Sequence, residues 1–434
     1  METRRRDGAV LTQAIIIALF FLWGVANNLN DVLIPHLKKA FFLSDLQSGL
    51  VQSAFYLGYF FLALPASIVM RRYGYKMAVL VGLGLFGLGA LMFYPASAAL
   101  QYPLFLAALF VIASGLAFLE TSANPLITVL GDPATSERRL NFAQAFNPLG
   151  SITAVFLGGQ FILSGVEPTK AQFDAMSAAQ LAAFQAQEAR STQLPYLVIA
   201  AVVFGWAVLV ALTRFPAAAT RPPPEDVANA PSAGAAIAAL LRRPRFLFGV
   251  MAQFFYVGAQ VGVWSYMIRY AQHEVGLGEK AAAAYLTWSL VGFMAGRFVG
   301  TAAMGKISPT KLMAVFAAIN TALTLFAAFA GGKPGLIALA ATSFFMSIMF
   351  PTIFATAIKD LGPLTKTGSS FLVMAIIGGA VFTALMGAIS DLSAINHAIL
   401  VPSVCFAVVA AYGLSAARTA LSMDTTTAPE APLA

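Results

Sequence analysis

Apolar runs separated by short polar, Gly- or Pro-containing connections fill the chain from residue 10 to residue 417. A helix needs about 20 mostly apolar residues to cross the hydrocarbon core of a bilayer. Twelve runs meet that requirement: 10–36, 46–70, 77–98, 103–130, 140–164, 194–214, 245–271, 281–303, 310–331, 334–358, 367–390 and 395–417. The pattern predicts an all-α membrane protein with twelve transmembrane helices. The first, fourth and seventh runs hold more polar residues than lipid contact tolerates, so they must face protein or water along part of their length.

The connections divide these runs. The longest on the predicted cytoplasmic side, 215–244, contains Pro222–Pro224 and two Ala-rich stretches, and it separates six spans from six. It reads as a linker between two six-helix bundles, 1–214 and 245–434, the second with a short tail. The halves echo one another. Phe20-Phe21-Leu22-Trp23-Gly24 opens the first half and Phe254-Phe255-Tyr256-Val257-Gly258 the second, while Pro125 in the fourth run is matched by Pro351 in the tenth. Matching punctuation in corresponding helices suggests parallel repeats around a central cavity. On the other side, 169–190 places Phe173, Met176 and Phe184 on one stripe interrupted by Gln180, which predicts a short surface helix.

Composition narrows the class. Apolar residues make up 59% of the 434 and charged residues 10%, against about 45–50% and about 25% in soluble globular domains. A water-soluble enzyme and a disordered chain are excluded, and one cysteine, Cys405, excludes a disulfide-rich module. The net charge of +8 fits anionic lipid better than nucleic acid. With the N-terminus inside, only Lys38, Lys39, Lys170, Arg190, Arg269, Lys280 and Lys333 fall outside, seven of the 26 basic residues. That asymmetry predicts that both termini are cytoplasmic. Arg4–Arg6 precede an apolar run too long for the core of a cleaved signal peptide.

Of the 18 acidic residues, two lie well inside runs: Asp31 and Glu120. A charge at bilayer depth costs about 2.5–3.5 kcal/mol on insertion scales. Such a carboxyl must be protonated, paired or facing water, and one held in apolar surroundings can exchange protons near neutral pH. The nearest cation within a run is Arg297. The competing explanation is an acid kept neutral by neighbouring amides as glue between helices. Polar neighbours favour a pathway. Asn27, Asn28 and Asp31 share one side of the first span, and Asn124 follows Glu120 by one turn. Gln52, Tyr56 and Tyr59 line the second span, and Asn141, Gln144, Asn147 and Ser151 the fifth. Gln253, Tyr256, Gln260 and Trp264 repeat at near-helical spacing on the seventh. Amides can bond the hydroxyls of a neutral polyol and rings can pack its C–H face; singly, each residue serves interhelical bonding equally well. Gly82, Gly84, Gly87 and Gly89 suit close helix packing, and His36, His273 and His397 are too scattered for a metal site. No cofactor is implied.

Two sets of motifs carry a resemblance. Arg71-Arg72-Tyr73-Gly74-Tyr75-Lys76 resembles the basic 2–3 loop of the major facilitator superfamily, with Met70 or nearby apolar residues where that motif usually has Asp. Trp23–Asp31, Leu33-Ile34-Pro35, Gln52–Phe60, Leu119–Pro125 and Arg139–Asn147 are similar to the fucose–galactose–glucose–proton symporter family, strongly over 18–215 and more loosely over 245–417. The resemblance implies the major facilitator fold and carboxylates serving proton coupling and sugar binding at Asp31 and Glu120. Other branches of the family, taking glucose, galactose or N-acetylglucosamine, often have a neutral residue at the Glu120 position.

These observations predict a proton-driven symporter for a neutral hexose, L-fucose or a relative, monomeric in a bacterial inner membrane. Asp31 and Glu120 would couple protons. Sugar would meet Asn27, Asn28, Asp31, Gln52, Tyr56, Glu120, Asn124, Gln144, Asn147, Tyr256, Gln260 and Trp264. The alternative is a sodium-coupled or passive transporter of glucose, galactose or N-acetylglucosamine. A membrane-embedded transferase would need a donor-binding loop and a clustered acid or metal site, for which the connections are too short.

Overall fold

A computed structural model describes residues 12–25, 33, 37, 40, 41, 43, 45–161, 176–216, 220 and 231–426; within these, the side chains of 45–49, 52, 155–161, 279, 280 and 419–426 lie outside the description. The described residues contain helices and no strand. Helix α1 is Thr12–Val25. It is followed by α2 (Asp45–Tyr73), α3 (Tyr75–Ala99), α4 (Tyr102–Val129), α5 (Ser136–Gln144), α6 (Phe146–Phe161), α7 (Ala178–Ser191), α8 (Gln193–Leu212) and α9 (Ala233–Leu241). The second half holds α10 (Pro244–Val275), α11 (Glu279–Ala303), α12 (Pro309–Ala330), α13 (Gly332–Met346), α14 (Met349–Ile358), α15 (Thr365–Met374), α16 (Gly378–Leu392), α17 (Ile395–Ala398) and α18 (Leu400–Thr426).

Among the described residues, ten helical stretches are long and apolar enough to cross a membrane, and α1 is a shorter apolar helix. The fifth span is supplied by α5 and α6, which complete the twelve predicted from hydrophobic run length. Between α2 and α3, Gly74 takes a positive φ of 85°, a conformation glycine adopts without steric cost. The basic turn there is tied down: Lys76 Nζ donates to the carbonyls of Ala211 (2.8 Å) and Thr213 (2.9 Å), and Arg71 donates to the carbonyl of Pro231.

The chain forms two compact units. One comprises 1–132, 143–237 and 363–374; the other comprises 133–142, 238–362 and 375–434. The main division falls inside the stretch 215–244, and each unit also takes in a short segment from the opposite half of the sequence. Those segments end at helix interruptions. α5 stops at Gln144 before α6 begins, and α15 stops at Met374 before a 3-10 turn, Ala375–Ile377. Pro148 has no N–H to offer the Gln144 carbonyl, which accounts for the first interruption.

The repeated Phe-Phe-x-x-Gly sequence has a structural counterpart in each unit. In the first, a side chain at Gly24 would strike the Asn147 carbonyl and one at Gly150 the Phe21 carbonyl, so α1 and α6 touch backbone to backbone. In the second, Gly258 faces the Phe382 ring and Gly378 faces the Phe254 carbonyl, which brings α10 and α16 equally close. Small residues permit such approaches between membrane helices.

The connection between the fifth and sixth spans holds α7. Its N-terminus is a reciprocal capping box, in which Ser177 Oγ accepts from the Gln180 N–H and Gln180 Oε1 accepts from the Ser177 N–H. Gln180, an interruption in the apolar stripe, is therefore the residue that starts the helix. Phe173 lies outside the described residues.

Candidate functional site

In the first unit the site is built on α4. Twenty residues of this helix are buried, without a break from Ile112 to Thr128, so its polar groups must find partners within the protein. Glu120 is only 5% exposed, and its carboxyl is hydrogen-bonded by the Tyr59 hydroxyl of α2. Among the described residues no lysine or arginine forms an ion pair with it. One turn further along, Asn124 Oδ1 accepts from Gln144 Nε2 at 3.0 Å. Both amides are buried. Among the described residues, Asn124 Nδ2 and the Thr121 hydroxyl have no hydrogen-bond partner. The arrangement therefore offers a carboxyl that can carry a proton, an amide N–H still unspent, and a hydroxyl, within two turns of one helix. That set can bond a small molecule bearing several hydroxyls.

Asn147 lies on α6. Its Nδ2 donates to the Phe20 carbonyl at 3.3 Å, and its own carbonyl accepts from Ser151 Oγ, so it locks α6 onto α1. Tyr56 is half-buried on α2. Asn27, Asn28 and Asp31 lie outside the described residues, as does the side chain of Gln52.

The polar stripe expected along the fifth span does not hold as one surface. Asn141 belongs to the second unit, where its Nδ2 donates to Thr352 Oγ1 (3.0 Å) and to the Glu137 carbonyl (2.9 Å). Gln144 and Asn147 belong to the first unit. The interruption at Ala145 breaks the helical period that the stripe assumes.

In the second unit, α10 and α11 meet at Trp264 and Phe293, and both bond Ser343 of α13. Trp264 Nε1 donates to Ser343 Oγ at 3.0 Å, and that hydroxyl is bonded to Ser289. The Trp264 ring packs edge-on against Phe293 at 5.1 Å, and the Arg297 guanidinium lies over the same Phe293 ring at 4.6 Å. Tyr256 is fully buried and its hydroxyl donates to the Met346 carbonyl at 3.1 Å. Gln260 is half-buried. Gln253 is fully buried, and among the described residues neither amide atom has a partner. Among the described residues no group of three or more His, Cys, Asp or Glu stands ready to hold a metal ion.

Sequence reasoning placed Tyr59 on the polar stripe but gave it no role; its spacing from Tyr56 was the available signal. Glu137 falls in the connection between the fourth and fifth apolar runs, yet it is buried and paired with Lys359 Nζ at 3.1 Å. Its position just after Ser136, at the start of a helix, carried no signal of that partner 222 residues away.

Twelve apolar spans in two halves, repeated glycine contacts and a buried carboxyl among amides describe a membrane carrier. The sequence profile of the Major Facilitator Superfamily matches residues 15–381, and the chain belongs to that superfamily. It is 47% identical to the L-fucose-proton symporter of Escherichia coli (strain K12), over 95% of this chain and 94% of that protein. It is 36% identical to the glucose/galactose transporter of Brucella abortus, over 95% of each chain. Its structure superposes on that of FucP, a major facilitator transporter captured in the outward conformation, with a TM-score of 0.87 and 46% identity, covering 94% of this chain and 99% of the other.

Proposed function

We infer that the protein is a secondary active transporter that carries a neutral hexose, L-fucose or a close relative, together with a proton by alternating access. The observation that carries this is Glu120: a buried carboxyl bonded to Tyr59 and one turn from an amide pair with an N–H to spare. The similarity to the L-fucose-proton symporter extends over nearly the whole chain and supports the same substrate class.

Asp31 and Glu120 couple the proton, Asp31 as acceptor and sugar ligand and Glu120 as the gate on its protonation. Asn124 and Gln144 bond sugar hydroxyls, with Asn147, Tyr56, Gln52, Asn27 and Asn28 around them and with Gln260 and Trp264 contributed by the second half. Protonation removes the cost of occluding a charge, and bound sugar consumes the unspent amide and hydroxyl groups. Only a carrier occupied by both, or by neither, changes conformation cheaply, and this couples the two flows. The spans form bundles over 1–214 and 245–434 joined by 215–244. The membrane is a bacterial inner membrane, both termini are cytoplasmic, and the carrier acts as a monomer. The distribution of Lys and Arg among the connections supports this orientation.

The test is counterflow of labelled sugars in proteoliposomes, with and without an imposed pH gradient. L-fucose is expected to exchange in both conditions and to accumulate only with the interior alkaline. Accumulation that follows a sodium gradient and ignores pH would replace the coupling ion.

A further inference from the structure

The tenth span is interrupted at its centre. α13 ends at Met346 and α14 begins at Met349, with Ser347 and Ile348 between them. The sequence explains one half of this. In an unbroken helix the Ser347 carbonyl would accept from the N–H of residue 351, but that residue is Pro351 and has none. A carbonyl without a partner at bilayer depth costs several kcal/mol.

Two side chains from other helices replace the missing links. Arg297 Nε of α11 donates to the Ser347 carbonyl at 2.7 Å. Arg297 is 4% exposed and is supported from below by the Phe293 ring. The Tyr256 hydroxyl of α10 donates to the Met346 carbonyl, and the hydroxyl oxygen is itself bonded by the Phe350 backbone. Met346 and Phe350 are four apart, so the hydroxyl is inserted into what would be one rung of the helix ladder. Ser347 Oγ turns back onto the Phe344 carbonyl at 2.7 Å. Beyond the interruption α14 is held separately. Thr352 accepts from Asn141, and Lys359, just past its end, pairs with Glu137. Both partners lie in 133–142, a segment whose flanking chain belongs to the other unit.

We propose that Arg297 is a positioning residue of the transport cycle: it stands in for the backbone N–H that Pro351 lacks, keeps the tenth span in two pieces, and lets α14 turn about Ser347–Ile348 together with residues 133–142. This rests on the carrier function above. It makes no demand on which sugar is carried, because Arg297 spends its Nε on backbone.

The experiment is a cycle in proteoliposomes over wild type, Arg297→Gln, Pro351→Ala and the double variant, recording fucose counterflow rate and, separately, equilibrium fucose binding. Wild type that neither binds nor exchanges fucose defeats the proposed substrate and is distinguished at the first step. Arg297→Gln is expected to slow counterflow at least tenfold with a dissociation constant within twofold of wild type. Pro351→Ala restores the N–H and welds the helix, so counterflow slows there too. Adding Arg297→Gln to Pro351→Ala is then expected to change the rate less than twofold. Independent tenfold losses in both backgrounds, or binding lost in step with transport, would overturn the proposal. Should Arg297→Gln alone fail to accumulate in the membrane, Pro351→Ala is expected to restore its yield, since the orphaned carbonyl is then satisfied. Failure of that rescue also overturns it.

Discussion

The fourth and tenth spans occupy corresponding places in the two halves and carry the same punctuation. Pro125 and Pro351 align, which sets Thr121 opposite Ser347 and Glu120 opposite Met346. Yet α4 runs unbroken from Tyr102 to Val129 through its proline, while the tenth span is divided into α13 and α14. The proline removes one donor in both cases. What differs is the company. The tenth span has Arg297 and Tyr256 within bonding distance of the carbonyls left over. The fourth carries its polar groups on itself, a carboxyl and an amide turned to neighbouring Tyr59 and Gln144. One repeat keeps its helix whole and carries a carboxyl and an amide of its own, and in the other, side chains of neighbouring helices hold the backbone open.

The strongest way to break that contrast is to neutralise the acid. A proton crossing with the sugar carries about 2.3 kcal/mol per 100 mV, enough for about 40-fold accumulation at equilibrium. Glu120→Gln keeps the shape and the bond to Tyr59 but cannot release a proton. Accumulation driven by membrane potential is expected to fall from that range to unity while sugar counterflow persists, and labelled-sugar uptake in energised vesicles checks this. Full accumulation in the variant would move the coupling away from α4.

A smaller effect separates the two glycine contacts. A Cβ at Gly24 or Gly150 meets a backbone carbonyl, which cannot yield, whereas one at Gly258 meets the Phe382 ring, which can turn. Overpacking costs about 1–3 kcal/mol. Gly150→Ala is expected near the upper end and Gly258→Ala near the lower, read as the order of thermal unfolding midpoints in detergent. A reversed order would mean that α1 and α6 separate more readily than α10 and α16.

The amide pair comes next. Removing Gln144 leaves the buried Asn124 amide with no partner on either atom, and an unsatisfied buried polar group costs about 1–3 kcal/mol. Gln144→Ala and Asn124→Ala are each expected to weaken fucose binding, and the double variant to be less impaired than the two effects added. Strict additivity in the binding constants would show that the pair does not act as one site.

The spans themselves were legible from hydrophobic run length, because lipid forces every crossing into a helix that must satisfy its own backbone. Glu120 was legible for the same reason: a lone acid in such a run needs an explanation. The divided tenth span was not. Pro125 and Pro351 look alike in sequence, and the donor that distinguishes them lies 50 residues from Ser347, on another helix. The stripe on the fifth span misled because helical spacing was carried across Ala145, where the helix stops. The Ser177–Gln180 capping box is visible in the sequence as a Ser followed three residues later by Gln, although Gln180 also interrupts an apolar stripe, and helical periodicity registers only the interruption.

The smallest effect concerns the two segments that change unit. Residues 133–142 are fastened by Glu137 to Lys359, a buried carboxylate on a lysine that is 43% exposed. Residues 363–374 place Lys366 over the Tyr75 ring at 5.3 Å. An ion pair with one exposed partner is screened and contributes below about 1 kcal/mol, and a cation over a ring contributes about 0.5–1 kcal/mol at exposed sites. The two fastenings are thus similar in size but differ in their response to salt. Lys359→Met is expected to lower the unfolding midpoint slightly at low ionic strength, with the difference shrinking as the Debye length falls from about 10 Å at 0.1 M to about 3 Å at 1 M. Lys366→Met is expected to cost as much at 1 M as at 0.1 M, because the ring contact depends on close approach and not on a distant field. Equal salt sensitivity in the two variants would show that Lys366 also answers to a carboxylate, and the two segments would then be held by the same kind of contact.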